Sequence, residues 1–126
     1  MPSGRVAIIP LLVFWPVARA VPAAAESVRF LYWLDKEVSS GREVTEWEAS
    51  RMLTSLRAEI PGYKGNSFEN ISAYGPSAAL PHYSTPCEGS AVIRPSGLYL
   101  VDSGGQYLTG TTDITRTVPM GECTYL

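Results

Sequence analysis

The stretch LYLVDSGGQYLTGTTDITRTV, residues 98–118, decides the fold of this 126-residue chain. Its first five residues are typical of an apolar strand, and Gly104 and Gly105 allow the backbone to bend directly after it. A turn near Thr109 and Gly110 then predicts a return strand and therefore an antiparallel pair. Because LYLVD carries apolar residues on both faces, we expect this strand to be buried on both sides.

Two carboxylates accompany the predicted bend. Asp102 ends the apolar strand in surroundings poor in water, where a buried charge must be hydrogen-bonded, paired or bound to a cation. Asp113 lies on the return strand, which can bring it towards Asp102, and converging carboxylates repel each other unless a proton or cation lies between them. By strand parity Arg116 points away from Asp113, so a divalent cation such as Mg²⁺, Ca²⁺ or Mn²⁺ is the natural partner. The alternative is two unrelated turn aspartates that cap local N–H groups.

The remaining chemistry-bearing residues are few. His82, the only histidine, lies in a loop rich in proline and small residues. It is either an ordinary, partly exposed residue or a neutral hydrogen-bond donor beside a substrate. Cys87 and Cys123 lack C-x-x-C spacing, which argues against a thiolate zinc site and leaves open whether the two cysteines pair.

Composition and the first residues bound the class of protein. Lys and Arg number 10 against 12 Asp and Glu, so no basic excess favours nucleic-acid binding. The apolar run from Val6 to Val17 is too short to span a bilayer, yet the A-x-A pattern of residues 18–20 is typical of a secretory signal peptide. We therefore divide the chain into a leader-like or unrelated segment, residues 1–22, and one domain, residues 23–126. A cytoplasmic location is favoured, and secretion is the alternative if residues 1–20 are a signal peptide.

Two helices are predicted before the strands. The pattern is helical from about Pro22 to Gly41, and a second helix begins after Thr45, which forms a capping box with Glu48. The segment SFENISAYG then predicts a strand. Helices followed by antiparallel strands indicate the α+β class.

The string DSGGQYLTGTTDITRT, residues 102–117, resembles the metal-binding signature of Xaa-Pro aminopeptidases. These enzymes belong to the creatinase/methionine aminopeptidase class of metallopeptidases, peptidase family M24, which has the pita-bread fold. SFENISAYGPSAALPHYS, residues 67–84, is similar to the family segment that carries a substrate-side histidine. The resemblance continues more weakly through the two helices to about Ala24, and implies the N-terminal part of a pita-bread catalytic domain.

The resemblance also implies roles for particular residues. Asp102 matches an aspartate that binds one metal ion, Asp113 matches one that bridges two, and His82 matches a histidine lining the substrate pocket. Thr112 and Thr115 are candidates for orienting the Asp113 carboxylate. The implied cofactors are two divalent ions, most often Mn²⁺, and the implied reaction removes the N-terminal residue of a peptide whose second residue is proline.

The match covers only part of the family's site. The family completes it with a histidine and two glutamates from later motifs, so these 126 residues hold two of the five expected ligands, and we expect this chain alone to be inactive. The alternatives are a non-enzymatic truncated module, with the matched residues as relics, and a small secreted binding protein. An exposed half-core also predicts self-association.

Overall fold

Two helices cover one face of an antiparallel sheet in the computed structural model, which describes residues 11–15 and 17–121. The predicted α+β arrangement is therefore observed. No helix within those residues is long and apolar enough to cross a membrane. In chain order the elements are β1 (Leu11–Trp15), α1 (Val17–Ser39), β2 (Val44–Thr45), α2 (Glu46–Ala58), β3 (Tyr63–Asn66), β4 (Ile71–Tyr74), β5 (Val92–Ile93), β6 (Leu98–Ser103), β7 (Gly105–Tyr107) and β8 (Gly110–Pro119).

The main sheet is organised around one long hairpin, as the opening stretch predicts. Its strand order is β3-β7-β8-β6-β4, with β1 also paired to β8, while β2 and β5 form a separate short pair. The pairs Leu98 with Pro119 and Tyr107 with Gly110 belong to one register, so β6 and β7 are two halves of a single strand that runs along β8. Only Gly104 separates these halves, and the same register places it opposite Asp113.

The hydrophobic core lies between the helices and this hairpin. Burial of these apolar side chains is the main contribution that holds the helices on the sheet. Apolar residues at helical spacing on both helices form this core, although Leu31, Met52 and Leu56 are only half-buried. The core residues from α1 and α2 are Phe30, Leu34, Val38, Ala49 and Leu53, and they pack with Tyr99 and Val101 of β6.

Two boundaries differ from the sequence expectation. In SFENISAYG only Ile71–Tyr74 is a strand, because Asn70 turns towards α2 and donates from Nδ2 to Ser50 O at 3.2 Å and to Thr54 Oγ1 at 2.9 Å. Helix α1 begins at Val17, upstream of the expected start and of the boundary drawn between residues 22 and 23. That division stays a prediction, and residues 1–10 and 16 of the leader-like segment lie outside the described residues.

The expectation that LYLVD is buried on both faces is wrong. Tyr99 and Val101 are buried beneath the helices, but Leu98 is 46% exposed. Leu100 and Asp102, which share the other face with Leu98, are half-buried. The physical reason is that both helices pack on a single face of the sheet, so alternate residues of β6 face a more open side.

Replacing Gly104 by alanine is expected to destabilise the chain by about 3 kcal/mol, the upper end for overpacking. A Cβ at this position would collide with the Thr112 carbonyl oxygen and with Ser67 Oγ, and the carbonyl belongs to the paired backbone. Gly41→Ala is the control, because Gly41 has a φ of +94° but open space around it. Urea unfolding should show the larger loss for Gly104→Ala, and equal losses would contradict steric crowding as the cause.

Candidate metal and substrate site

Asp102 is placed by the centre of the sheet. It lies in β6 between Ile71 of β4 and Thr115 of β8, and its side chain projects away from the helices. Its Oδ1 atom is buried, yet it has no hydrogen-bond partner among the described residues. Buried carboxylate oxygens are normally satisfied, so this atom has an unused capacity to accept a hydrogen bond or bind a cation.

Asp113 lies on the same face as Asp102, diagonally across the pair of strands. Asp102 is directly opposite Thr115, and Asp113 is two residues before Thr115 in β8. Such diagonal neighbours are close enough for long side chains to interact. Loss of surrounding water, the negative charge of Asp102 and a hydrogen bond to Asp102 together raise the pKa of Asp113, an exposed residue, above its ordinary value. The two carboxylates therefore converge, as expected from the sequence.

His82 and Asp102 line the same hollow, whose volume is about 290 Å³. The imidazole comes from the loop after β4, in which His82 is exposed and has a φ of +56°. Left-handed backbone is uncommon for residues other than glycine, and such positions concentrate at functional sites. The remaining lining residues are Ile71, Ala73, Ser77, Ala78, Ala79, Leu80, Pro81, Leu100 and Thr115.

The two candidate orienting threonines have different surroundings. Thr115 lines the hollow beside Asp102, on the face that carries both carboxylates. Thr112 is buried, and its Oγ1 accepts a hydrogen bond of 2.8 Å from the Gly105 N–H. As the residue next to Asp113 in a strand, Thr112 faces the helix side. Its observed contact therefore holds the two strands together at the bend, and a role for either threonine toward Asp113 stays a prediction.

A buried glutamate, which no pattern in the sequence indicated, holds the loop of His82 by hydrogen bonds. Glu46, the first residue of α2, is fully buried, and its carboxylate accepts hydrogen bonds from the Tyr74 N–H at 2.6 Å and the Tyr83 hydroxyl at 2.7 Å. Burial and the bond to Glu46 raise the pKa of Tyr83. Further along the loop, the Thr85 hydroxyl accepts from the Ser72 N–H and donates to the Ser72 carbonyl, both at 2.9 Å.

A buried ion pair, also absent from the sequence analysis, lies behind the two aspartates. Arg57 of α2 is fully buried and pairs with Glu26 of α1, with 3.0 Å between Nη2 and Oε1. Burial raises the pKa of Glu26 above its ordinary value, and the charge of Arg57 opposes part of that shift. The available signal was Arg57 itself, an arginine on the apolar stripe of a helix, where charged residues occur almost only as paired groups.

The donor set at this site fits a hard divalent cation. Two carboxylates converge on one face, Asp102 has an unpartnered buried oxygen, and desolvation together with the charge of Asp102 raises the pKa of Asp113. Oxygen ligands of this kind suit Mg²⁺, Ca²⁺ or Mn²⁺. Within residues 11–15 and 17–121, however, no group of three or more His, Cys, Asp or Glu side chains could hold a metal ion. Cys87 is exposed and free, while Cys123 lies outside the described residues.

The profile of metallopeptidase family M24 matches residues 17–125 of the chain. The chain belongs to this family. It is 45% identical over 104 residues to human Xaa-Pro aminopeptidase 2, covering 82% of this chain and 15% of that protein. It is 46% identical over 95 residues to an uncharacterized peptidase of Schizosaccharomyces pombe, covering 75% of this chain and 16% of the relative.

A solved structure places this M24 chain in the pita-bread fold. The X-prolyl aminopeptidase of Caenorhabditis elegans, described as a cytosolic enzyme with a di-nuclear active site, superposes with a TM-score of 0.77 at 42% identity. The match covers 81% of this chain and 17% of that enzyme. The resemblance seen in the sequence and the expected fold are thus confirmed, and this M24 chain spans about a sixth of the length of such relatives.

Proposed function

We propose that this M24 chain supplies one side of the two-metal site of an Xaa-Pro aminopeptidase. Asp102 and Asp113 are its metal ligands, and His82 lies on the substrate side. The observation that carries the proposal is the convergence of both carboxylates beside the hollow lined by His82, with Asp102 Oδ1 unpartnered. Its substrates are peptides whose second residue is proline, as the names of the relatives indicate.

Two divalent ions, most often Mn²⁺ in this family, are the proposed cofactors. The chemistry that such ions supply to a peptidase is activation of water and polarisation of the carbonyl group that is attacked. The part of this chain is to present two anionic ligands in a fixed arrangement. Asp113 binds a cation in its deprotonated form, so its raised pKa makes cation binding stronger as the pH rises.

His82 is proposed to face the peptide and not the metal. Its loop is fixed by two residues that follow His82, Tyr83 through Glu46 and Thr85 through Ser72, so the exposed imidazole is held at the rim of the hollow. A neutral imidazole there can donate a hydrogen bond to the carbonyl oxygen of a bound peptide. His82 would thereby orient the peptide bond that precedes proline.

The 126-residue polypeptide, taken by itself, is proposed to bind Mn²⁺ weakly and to hydrolyse nothing, because it holds two of the five ligands that the family uses. Titration calorimetry with Mn²⁺ and a release assay with an Xaa-Pro peptide test both parts. Weak Mn²⁺ binding without release of the first residue is the expected result. Failure to bind Mn²⁺ would overturn the metal site, and peptide release that disappears in Asp113→Ala would overturn the proposed inactivity.

Location and assembly are proposed on narrower grounds. The cytosolic description of the Caenorhabditis elegans enzyme supports a cytoplasmic location for this chain. Self-association through the more open sheet face is supported by the 46% exposure of Leu98 and the half-buried Leu100 beside it. Sedimentation of the purified chain over a concentration series tests the second point, and a monomer at all concentrations would contradict it.

A further inference from the structure

We infer that Arg57 is a positioning residue, which holds the bend between β6 and β7 so that Asp102 and Asp113 can reach one cation. This inference rests on the proposed metal site. It assigns a specific task to a buried charge that neither lines the hollow nor bonds to the carboxylates of Asp102 and Asp113.

The guanidinium of Arg57 donates hydrogen bonds to Ser103 and Gly104, the two residues of the bend that follow Asp102. Its Nη2 donates to Ser103 Oγ at 2.9 Å, and its Nη1 donates to the Gly104 carbonyl at 3.3 Å. Its Nε donates to Glu26 Oε1 at 3.1 Å, so α1 and α2 hold the bend together. A planar guanidinium fixes several acceptors in a set geometry, which a lysine ammonium cannot reproduce.

The held segment lies directly behind the two ligands. Ser103 is next to Asp102 and points to the helix side, while Asp102 points to the open side. Gly104 is opposite Asp113 when the register of the hairpin is continued. A shift of Ser103 and Gly104 would therefore change the separation of the two carboxylates, since Asp102 directly precedes Ser103 in the chain and Asp113 lies opposite Gly104 on β8.

Other bonds at the bend do not replace Arg57. The Ser67 N–H also donates to the Gly104 carbonyl, at 2.9 Å, and the Gly105 N–H donates to Thr112 Oγ1. The first bond joins the bend to the segment after β3 and the second joins β7 to β8, whereas Arg57 ties the bend to the helices. A buried ion pair is also weak evidence for stability, because apolar residues of similar size often serve as well. A geometric task explains its use here better than a gain in stability does.

The test compares two serines that each lose one buried hydrogen bond. Ser103→Ala removes the acceptor of Arg57 Nη2, whereas Ser72→Ala, the matched control, removes the 2.7 Å bond between Ser72 Oγ and the Tyr99 hydroxyl. Both serines are at most 2% exposed. Arg57→Lys is the second test variant, because it keeps a positive charge beside Glu26 and loses the guanidinium fork. Mn²⁺ affinity of the full chain is measured by calorimetry, and amide exchange at Gly105 is measured without metal.

The inference predicts a separation between these variants. Ser103→Ala and Arg57→Lys should bind Mn²⁺ on the order of ten-fold more weakly than the wild type, as for other groups that orient ligands, while Ser72→Ala binds as the wild type does. The Gly105 amide should exchange faster only in the first two. Equal affinity in all folded variants would overturn the inference alone. If Arg57→Lys does not fold, Ser103→Ala decides, and no Mn²⁺ binding by the wild type would overturn the proposed site and this inference together.

Discussion

Replacing Arg57 by methionine is expected to lower the free energy of unfolding by about 3–5 kcal/mol at neutral pH, the usual cost of leaving a buried charge without its partner. Glu26 is only 2% exposed, and Arg57 is its charged partner. Urea unfolding followed by circular dichroism measures the loss. The double variant Arg57→Met with Glu26→Leu is the control, and it should recover most of the stability because no unpaired charge remains.

The loss should depend on pH in a defined direction. Burial raises the pKa of Glu26 in the folded chain, and removing the opposing charge of Arg57 raises it further. A folded carboxyl with a raised pKa keeps a proton that the unfolded chain releases, so its stabilisation is complete below the unfolded pKa and is lost as the pH rises through the folded pKa. Arg57→Met should therefore approach wild-type stability as the pH falls. A pH-independent difference would contradict an unpaired Glu26 as the cause.

Stabilisation by Mn²⁺ is expected to vanish in Asp102→Asn and in Asp113→Asn. A ligand at 100 times its Kd stabilises a folded chain by about 2.7 kcal/mol, and an amide in place of a carboxylate removes the charge that binds the ion. Thermal unfolding with and without Mn²⁺ measures the effect. Glu88→Gln is the control, because it removes one negative charge from an exposed residue outside the hollow.

Without metal, Asp113→Asn is expected to have the opposite effect on stability. Its pKa is raised in the folded chain, so this carboxyl favours folding at low pH and loses that contribution as the pH rises through the folded pKa. Asp113→Asn removes the repulsion with Asp102, and should therefore raise the midpoint of thermal unfolding at neutral pH when no metal is present. A lower midpoint in metal-free Asp113→Asn would contradict repulsion between the two carboxylates. Mn²⁺ stabilisation retained in both variants would show that the two carboxylates do not share a cation.

The hairpin and the approach of its two aspartates could be predicted because they depend on local signals. Glycines at the bend, a turn at Gly110 and alternation along β8 determine which residues face each other. Likewise the capping residue Thr45 was predictable, and its Oγ1 accepts a bond of 3.1 Å from the Glu48 N–H. In these cases the partners are close in sequence or follow from strand parity.

The supports of the site could not be predicted in the same way, because their partners are distant in sequence. Arg57 bonds to residues 26, 103 and 104, and Glu46 bonds to residues 74 and 83. No periodicity connects such positions, and a charged residue in a helix is usually solvated. The exposure of one face of β6 also could not be predicted from the LYLVD pattern. Burial depends on which elements pack against the sheet, and both helices pack on one side.

Helix α2 carries both supports, one near each end. Glu46 at its first turn fastens the loop of His82, and Arg57 at its last turn fastens the bend beside Asp102. Eleven residue steps separate them, about 16 Å along a helix axis. The loop of His82 and the bend beside Asp102 are therefore both attached to the same helix. A shift of α2 along its axis would move the His82 loop and the bend beside Asp102 together. Insertion of one residue between Glu46 and Arg57 would instead rotate one attachment relative to the other by roughly 100°.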